Sequence, residues 1–259
     1  MRGGAQAHLL EANDGKFYVV KFSNNPQHRR VLLNEWIGSV ILRHLKIDTP
    51  ETNLIEITSE FLRDNPRVFM ETGTRRLPAI GLHFGSRFPG DPAHDPVFDF
   101  VPDSLLIGAC MNIDHYIGAL VFDKWTSNVD PRQSIFYKHG MLRPRCIRFI
   151  AQMIDNGAIF GGPDWRFDDL PTQGHYWRSA VYSKVQSLGD FEPWLQRVKD
   201  LPLAVVYDCL KQVPGEWIDG EASALERLLE QLFKRRSRIG NLIETARIAK
   251  PTLFPNWQA

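Results

Sequence analysis

Asp123 and Asn128 stand five positions apart in Phe122-Asp123-Lys124-Trp125-Thr126-Ser127-Asn128, and a second acid follows in Met153-Ile154-Asp155-Asn156-Gly157. This is the acid layout of a phosphoryl-transfer site. One Asp accepts a hydroxyl proton or orients the nucleophile, while the Asn and the later Asp hold Mg²⁺ against nucleotide phosphates. Such a D-x-x-x-x-N spacing is frequent by chance. It gains meaning only when a phosphate loop and a Lys precede it in the right order.

Both precede it here. In Arg2-Gly3-Gly4-Ala5-Gln6-Ala7-His8 the paired glycines let backbone N–H groups approach phosphate oxygens. A turn or a flexible tail is the commoner meaning of an isolated Gly-Gly. Lys21 closes the strand-like Tyr18-Val19-Val20-Lys21. An unpaired ammonium on an apolar strand is costly to bury. Lys21 is therefore either a cation for the nucleotide's α- and β-phosphates or a strand-end Lys reaching water. Glu35, at the start of the following helix, can hold that Lys in place, although a helix-start acid also suits the macrodipole. Lys21 and Glu35 together favour the ion pair. Asp130-Pro131 is a turn signal, which marks Asp130 as structural. Asp155 ends the apolar run Phe149 to Ile154, where a metal ligand and an Asn156-Gly157 turn are compatible.

Elements must position these residues. Leu9 to Glu11 and Phe17 to Phe22 read as strands joined at Asn13-Asp14-Gly15. From about Val31 to Leu45 the apolar residues recur at three- and four-residue spacing, predicting an amphipathic helix with one buried face. Thr52 to Ile57 and residues 77–84 read as strands. Residues 85–103, rich in Pro, Gly and Asp, predict a long loop between two lobes. Residues 104–122 predict a helix running into Asp123, with Trp125 anchoring the stretch that follows. Ser134 to Tyr137 and Cys146 to Ile154 predict two further strands, and the chain beyond Gly174 reads as mainly helical. A final helix is expected over about Ala222 to Ala249. The sum is an α+β chain with a small β-rich lobe over residues 1–84 and a larger helical lobe over 85–259, with a nucleotide in the cleft between them.

Composition adds exclusions. The 259 residues carry a formal charge of +1, which gives no electrostatic reason to bind nucleic acid or an anionic membrane. The three cysteines, Cys110, Cys146 and Cys209, form no metal or disulfide pattern and read as buried thiols in a reducing compartment. No apolar run reaches about 18 residues and no signal peptide is evident, so a soluble cytoplasmic protein is expected. The basic run Lys234-Arg235-Arg236 with Arg238 reads as a solvated helix face. The scattered histidines show no ligand spacing. Trp165, Phe167, Tyr176 and Trp177 read as core.

The ordered set resembles the HipA-like branch of the protein-kinase-like superfamily. Gly3-Gly4-Ala5-Gln6 is similar to its phosphate loop. Tyr18-Val19-Val20-Lys21 with Asn34-Glu35-Trp36 is similar to its Lys strand and Asn-Glu helix, and Asp123, Asn128 and Asp155 resemble its acids. The match spans roughly residues 1–160. It implies a bilobed kinase fold, ATP with Mg²⁺, and phosphorylation of Ser or Thr on a protein. By that resemblance Gly3, Gly4, Gln6 and Lys21 contact phosphates, and residues 80–84, including Leu82, form the adenine-binding hinge. Asp123 is the acid/base, and Asn128 and Asp155 hold Mg²⁺. The pattern departs in two places: Val121-Phe122 replaces the His-Arg before the catalytic Asp, and Asn156 replaces the aromatic of Asp-Phe-Gly. With no segment ahead of the phosphate loop, a compact stand-alone kinase is expected. Two other readings keep part of the pattern. One is a kinase-fold nucleotide-binding module with little catalysis. The other is a small-molecule kinase whose Asp164, Asp168 and Asp169 frame a cationic acceptor.

Overall fold

Phe17–Lys21 (β2) alternates between two environments along its length. Tyr18 and Val20 turn into a small core with Phe22, Ile57, Val68 and Met70, so Lys21 shares the opposite face with Phe17 and Val19. Strand β2 pairs antiparallel with His8–Glu11 (β1) across the Asn13-Asp14-Gly15 turn, where Gly15 takes φ +71°. The described residues of this computed structural model are 4–71, 73–139 and 147–258.

Arg30–His44 (α1) follows, then Thr52–Ile57 (β3). Next come Ser59–Asp64 (α2), capped by the Thr58 side chain, and the short pair Met70–Glu71 (β4) and Arg75–Arg76 (β5). Gly81–Arg87 (β6) completes a four-stranded sheet of order β1-β2-β6-β3, with Lys21 opposite Phe84. The strand expected over 77–84 starts four residues later and ends three later, so residue 84 falls inside it. Leu82 sits within this strand, and its carbonyl accepts from the Trp217 indole at 3.3 Å. The connection out of the sheet begins after Arg87, so most of residues 80–84 lie within β6.

Val97–Phe98 (β7) interrupts the expected loop and joins a second antiparallel sheet with Gln133–Lys138 (β8) and Phe149–Ile154 (β9), in the order β7-β8-β9. The helix expected over 104–122 is two helices, Asp103–Ala109 (α3) and His115–Thr126 (α4). The break between them has a cause. The Asn112 amide reaches the Ala151 backbone on both its C=O and N–H (2.8 and 2.9 Å), tying the chain to β9 instead of letting the helix continue. Helix α4 runs on past Asp123 and stops where Ser127 turns left-handed at φ +54°.

The remainder is helical: Glu192–Asp200 (α5), Leu203–Leu210 (α6), Gly215–Ile218 (α7), Ala222–Lys234 (α8) and Ile239–Ala249 (α9). The long terminal helix expected over 222–249 is broken by a 3₁₀ turn at Arg235–Arg238. Helix α1 has no solvent face of the expected kind, because Val31 through Ser39 are all buried. It is held between the 157–165 segment and helices α6 and α7, with Trp36 donating to the Cys209 carbonyl at 3.0 Å. Among the described residues no helix is long and apolar enough to cross a membrane.

Candidate active site

Three expected residues meet at one point. The Lys21 ammonium donates to Asp155 Oδ1 at 2.8 Å and, more closely, to Glu35 Oε1. Burial alone would depress this ammonium. Glu35 and then Asp155 outweigh that and hold it above the ordinary lysine range, so it stays charged. Burial likewise pushes the Asp155 carboxyl up, and Lys21 beside it brings it below the usual carboxylate range. Glu35 is 3% exposed and lies inside α1 rather than at its start, so the macrodipole does not explain it. Its second oxygen accepts the Asn156 N–H at 3.0 Å.

The segment around Asp155 is fixed to α1. Asp155 takes φ +60°. Asn156, where a kinase has an aromatic, is buried and donates to the Ser39 hydroxyl at 3.3 Å. Asn34 donates to the carbonyls of Gly157, Ile159 and Gly162 at 2.9–3.0 Å and accepts from the Trp165 indole at 2.9 Å. These contacts hold Glu35 and Asp155 in one frame.

Asp123 and Asn128 are not in that frame. Asp123 is 1% exposed, and the Arg132 guanidinium takes both of its oxygens, Nε to Oδ2 at 3.0 Å and Nη2 to Oδ1. Asn128 donates to Asp123 Oδ1 at 2.9 Å and accepts the Asp130 N–H at 3.2 Å. Arg132 extends to the Ile154 carbonyl at 2.8 Å and Asn156 Oδ1 at 2.9 Å. This is a buried strut beneath the acid loop. Both Asp123 oxygens and the Asn128 amide are engaged in these contacts.

What the strut presents outward is Asp130 and Gln133. Asp130, read from sequence as a turn residue, is exposed. Its surroundings and then the nearby Asp155 charge raise its carboxyl above the usual range, with Lys21 pulling the other way. Asp130 therefore lies near enough to Asp155 and Lys21 to feel both charges. Gln133 donates to Asp155 Oδ2 at 2.8 Å, because its register partner on β9 is Ile154, the residue before Asp155. A sequence signal existed: Asn128-Val129-Asp130 sets a second acid two residues beyond the amide, with Arg132 two residues further on.

At the other end, Gly4 lies in an exposed turn and Gly3 lies outside the described residues. The Gln6 amide is engaged with the Glu71 backbone, accepting its N–H at 2.5 Å and donating to its carbonyl. It pins the loop to β4 rather than standing open. Among the described residues no group of three His, Cys, Asp or Glu side chains could hold a metal.

The basic run is only in part a solvated face: Lys234 and Arg238 are exposed, and Arg235 turns inward. The Arg235 side chain is buried and donates to the Trp125 carbonyl at 3.0 Å, the Lys124 carbonyl at 3.1 Å and Asp169 at 2.7 Å. Asp169 also takes Arg238 at 2.7 Å, and Asp168 takes Arg166 at 2.8 Å, so both of these acids carry guanidinium partners. Trp125 is buried and donates to the Leu232 carbonyl at 2.7 Å. Of the expected core aromatics, Tyr176 is buried while Trp177 is 62% exposed.

Against known proteins, the chain matches the family model for HipA-like kinases over residues 1–239. It belongs to the HipA-like kinases. A comparison with curated proteins finds no match. Among solved structures it is similar to the crystal structure of a Golgi casein kinase with Mn/ADP bound. That likeness has a TM-score of 0.54 at 12% identity, and covers 96% of this chain and 72% of the other. At that identity the likeness concerns the fold: bilobed, protein-kinase-like, β-rich at the N-terminus and helical beyond. This HipA-like kinase is a phosphotransferase by family, and its match extends well past the residues that carried the sequence resemblance.

Proposed function

We propose that this HipA-like kinase transfers the γ-phosphate of ATP, with Mg²⁺, to a hydroxyl acceptor, and that Ser or Thr of a protein is that acceptor. The observation that carries the reading is the Lys21 ammonium set between Glu35 and Asp155. A desolvated cation held by two acids, one of them half-exposed, suits polyphosphate better than it suits a structural role. The lobes divide after β6, and residues 88–102 form the connection beside the adenine.

Mg²⁺ binds through one or two carboxylates plus substrate phosphates rather than in an all-protein cage. Asp155, half-exposed with one oxygen on Lys21 and the other on the Gln133 amide, fits that pattern with Asp130 nearby. A divalent ion held by Asp155 would supply charge neutralisation for the phosphates. Lys21 orients the phosphates, and Glu35 keeps Lys21 in position. Asp130 takes the acceptor hydroxyl proton, a role favoured by its raised carboxyl. Asp123, Asn128 and Arg132 hold the loop that carries Asp130.

The Mn/ADP in the similar Golgi casein kinase supports a nucleotide with a divalent metal. A second reading, a nucleotide-binding module with little catalysis, draws on Gln133 standing against Asp155 where an Asn was expected. Labelled ATP separates the two. Lys21→Ala and Asp155→Ala are each expected to abolish Mg²⁺-dependent transfer, and phosphorylated Ser or Thr is expected on the chain by mass spectrometry. Undiminished transfer in both variants would overturn the assignment.

A further inference from the structure

A cavity of about 240 Å³ adjoins Asp123 and Asn128. Its other walls are the 168–173 segment and the Arg235–Arg238 turn with the first turns of α9. Each carboxylate in these walls already has a guanidinium. Asp123 has Arg132, Asp168 has Arg166, and Asp169 has Arg235. Two wall cations are then left without a carboxylate of their own. Arg238 shares Asp169 with Arg235 through one nitrogen, and its side chain is 56% exposed. Lys124 is 6% exposed, and its ammonium meets only main-chain carbonyls, those of Leu170 (3.4 Å), Pro171 (2.9 Å) and Gln173.

The surroundings balance this charge only in part. Burial pushes the Lys124 ammonium down to about 8; Asp123 opposes that and the neighbouring Lys250 adds to it. The Lys250 ammonium itself lies 3.0 Å from His175 Nε2, not on an acid. A buried cation solvated by carbonyl dipoles alone is costly, and a counter-anion in the adjoining space removes that cost. Two unmatched cations correspond to a dianion. A guanidinium fork with an ammonium point charge is a recurrent phosphate-binding pair.

We propose that this cavity binds a small phosphate dianion, inorganic or a phosphomonoester, between Lys124 and Arg238 and against Ser127 and Asn128. Because Asn128 also holds the Asp130 N–H, the bound anion braces the acid loop from behind. The site is separate from the Lys21 centre and stands whether or not the chain transfers phosphate.

The test uses the full chain without nucleotide or metal. Thermal melts are recorded with inorganic phosphate and, in a second arm, free phosphoserine, against sodium chloride at matched ionic strength. At a hundredfold excess over Kd, a rise of roughly 5–10 °C is expected. Phosphate as a kosmotrope stabilises any folded protein, so the difference between variants is what reads the site. Lys21→Ala should keep the specific rise, Arg238→Ala should lose it, and Arg238→Lys should restore part of it. Stabilisation by phosphoserine alone assigns the site to a phosphomonoester, and by both to the phosphoryl group itself. Line broadening in ³¹P spectra, relieved by Arg238→Ala, checks binding independently of melting. Equal rises in wild type and Arg238→Ala, or loss of the rise in Lys21→Ala, would overturn the proposal.

Discussion

Asp123 and Asp130 lie seven positions apart and are predicted to fail in opposite ways when changed. Asp123 sits under both nitrogens of a buried guanidinium. Asp123→Asn leaves the Arg132 charge uncompensated, and breaking a buried pair from one side costs about 3–5 kcal/mol. A drop in melting temperature on the order of 10 °C is expected. Asp130→Asn touches no such partner. Transfer from labelled ATP should fall about 10²–10⁴-fold, while the fold survives. The direction of its stability effect follows from its raised carboxyl. The folded state keeps this proton at a pH where the unfolded chain has lost it, so its contribution is full in acid and disappears as pH rises through the folded value. At neutral pH the ionised Asp130 is a net cost, and Asp130→Asn should melt at the wild-type temperature or above it. Thermal melts at pH 7 beside turnover measure both effects; a destabilised Asp130→Asn would refute the account. The sequence made Asp123 and Asn128 conspicuous by spacing, and the structure joins the two by a hydrogen bond inside a buried network. That Arg132 folds back onto Asp123 is a long-range contact, and nothing local in Val129-Asp130-Pro131-Arg132 announces it.

Helix α1 shows why a local pattern can name an element yet misjudge its surroundings. The three- and four-residue spacing correctly predicted a helix, but it also implied a polar face toward water. That face carries Asn34, Glu35 and Ser39, and it is buried against the 156–165 segment. Gly38 lies at this contact. A Cβ built there would stand 2.7 Å from the Asn156 Cβ and 3.1 Å from an Ile159 methyl. Gly38→Ala would gain about 1 kcal/mol of helix propensity. Overpacking a tight contact costs about 1–3 kcal/mol, and here the contact includes a residue held on three sides. The cost is therefore expected to win, shifting α1 and loosening Glu35 from Lys21. ATP affinity should fall severalfold with a modest loss of melting temperature, read by calorimetric titration and thermal melts. Unchanged affinity would show that α1 is not what sets Lys21. Similar reasoning explains the terminal helix. Its apolar stripe was legible from Leu225 to Ile243, but Arg235 turns inward to the carbonyls that end α4, and the helix breaks there. An arginine's inward turn depends on what lies beneath it, which composition cannot supply.

Taken as one body, the molecule is tied together through α1, and that determines how nucleotide should register. Arg29 reaches the Glu216 carbonyl at 3.2 Å, Arg30 reaches Glu221 at 2.6 Å, and the Trp36 and Trp217 rings meet edge-on at 6.5 Å. Contacts from the C-terminal helices thus bear on the same helix that holds Glu35. A ligand that bridges the β-sheet lobe and Asp155 stabilises this joined body as a whole. At a hundredfold excess of ATP·Mg²⁺ over Kd the gain is about 2.7 kcal/mol, or roughly 5–10 °C for a chain of this size. The shift should appear in wild type and in Asp130→Asn, since Asp130 acts on the acceptor side, and should vanish in Lys21→Ala. Phosphate release or transfer should appear in wild type only. The two measurements together decide between the readings of this kinase fold. A shift with turnover is the phosphotransferase, and a shift without turnover in wild type is the binding module. No shift at all would mean that the Lys21–Glu35–Asp155 cluster is an internal ion network that never meets a nucleotide.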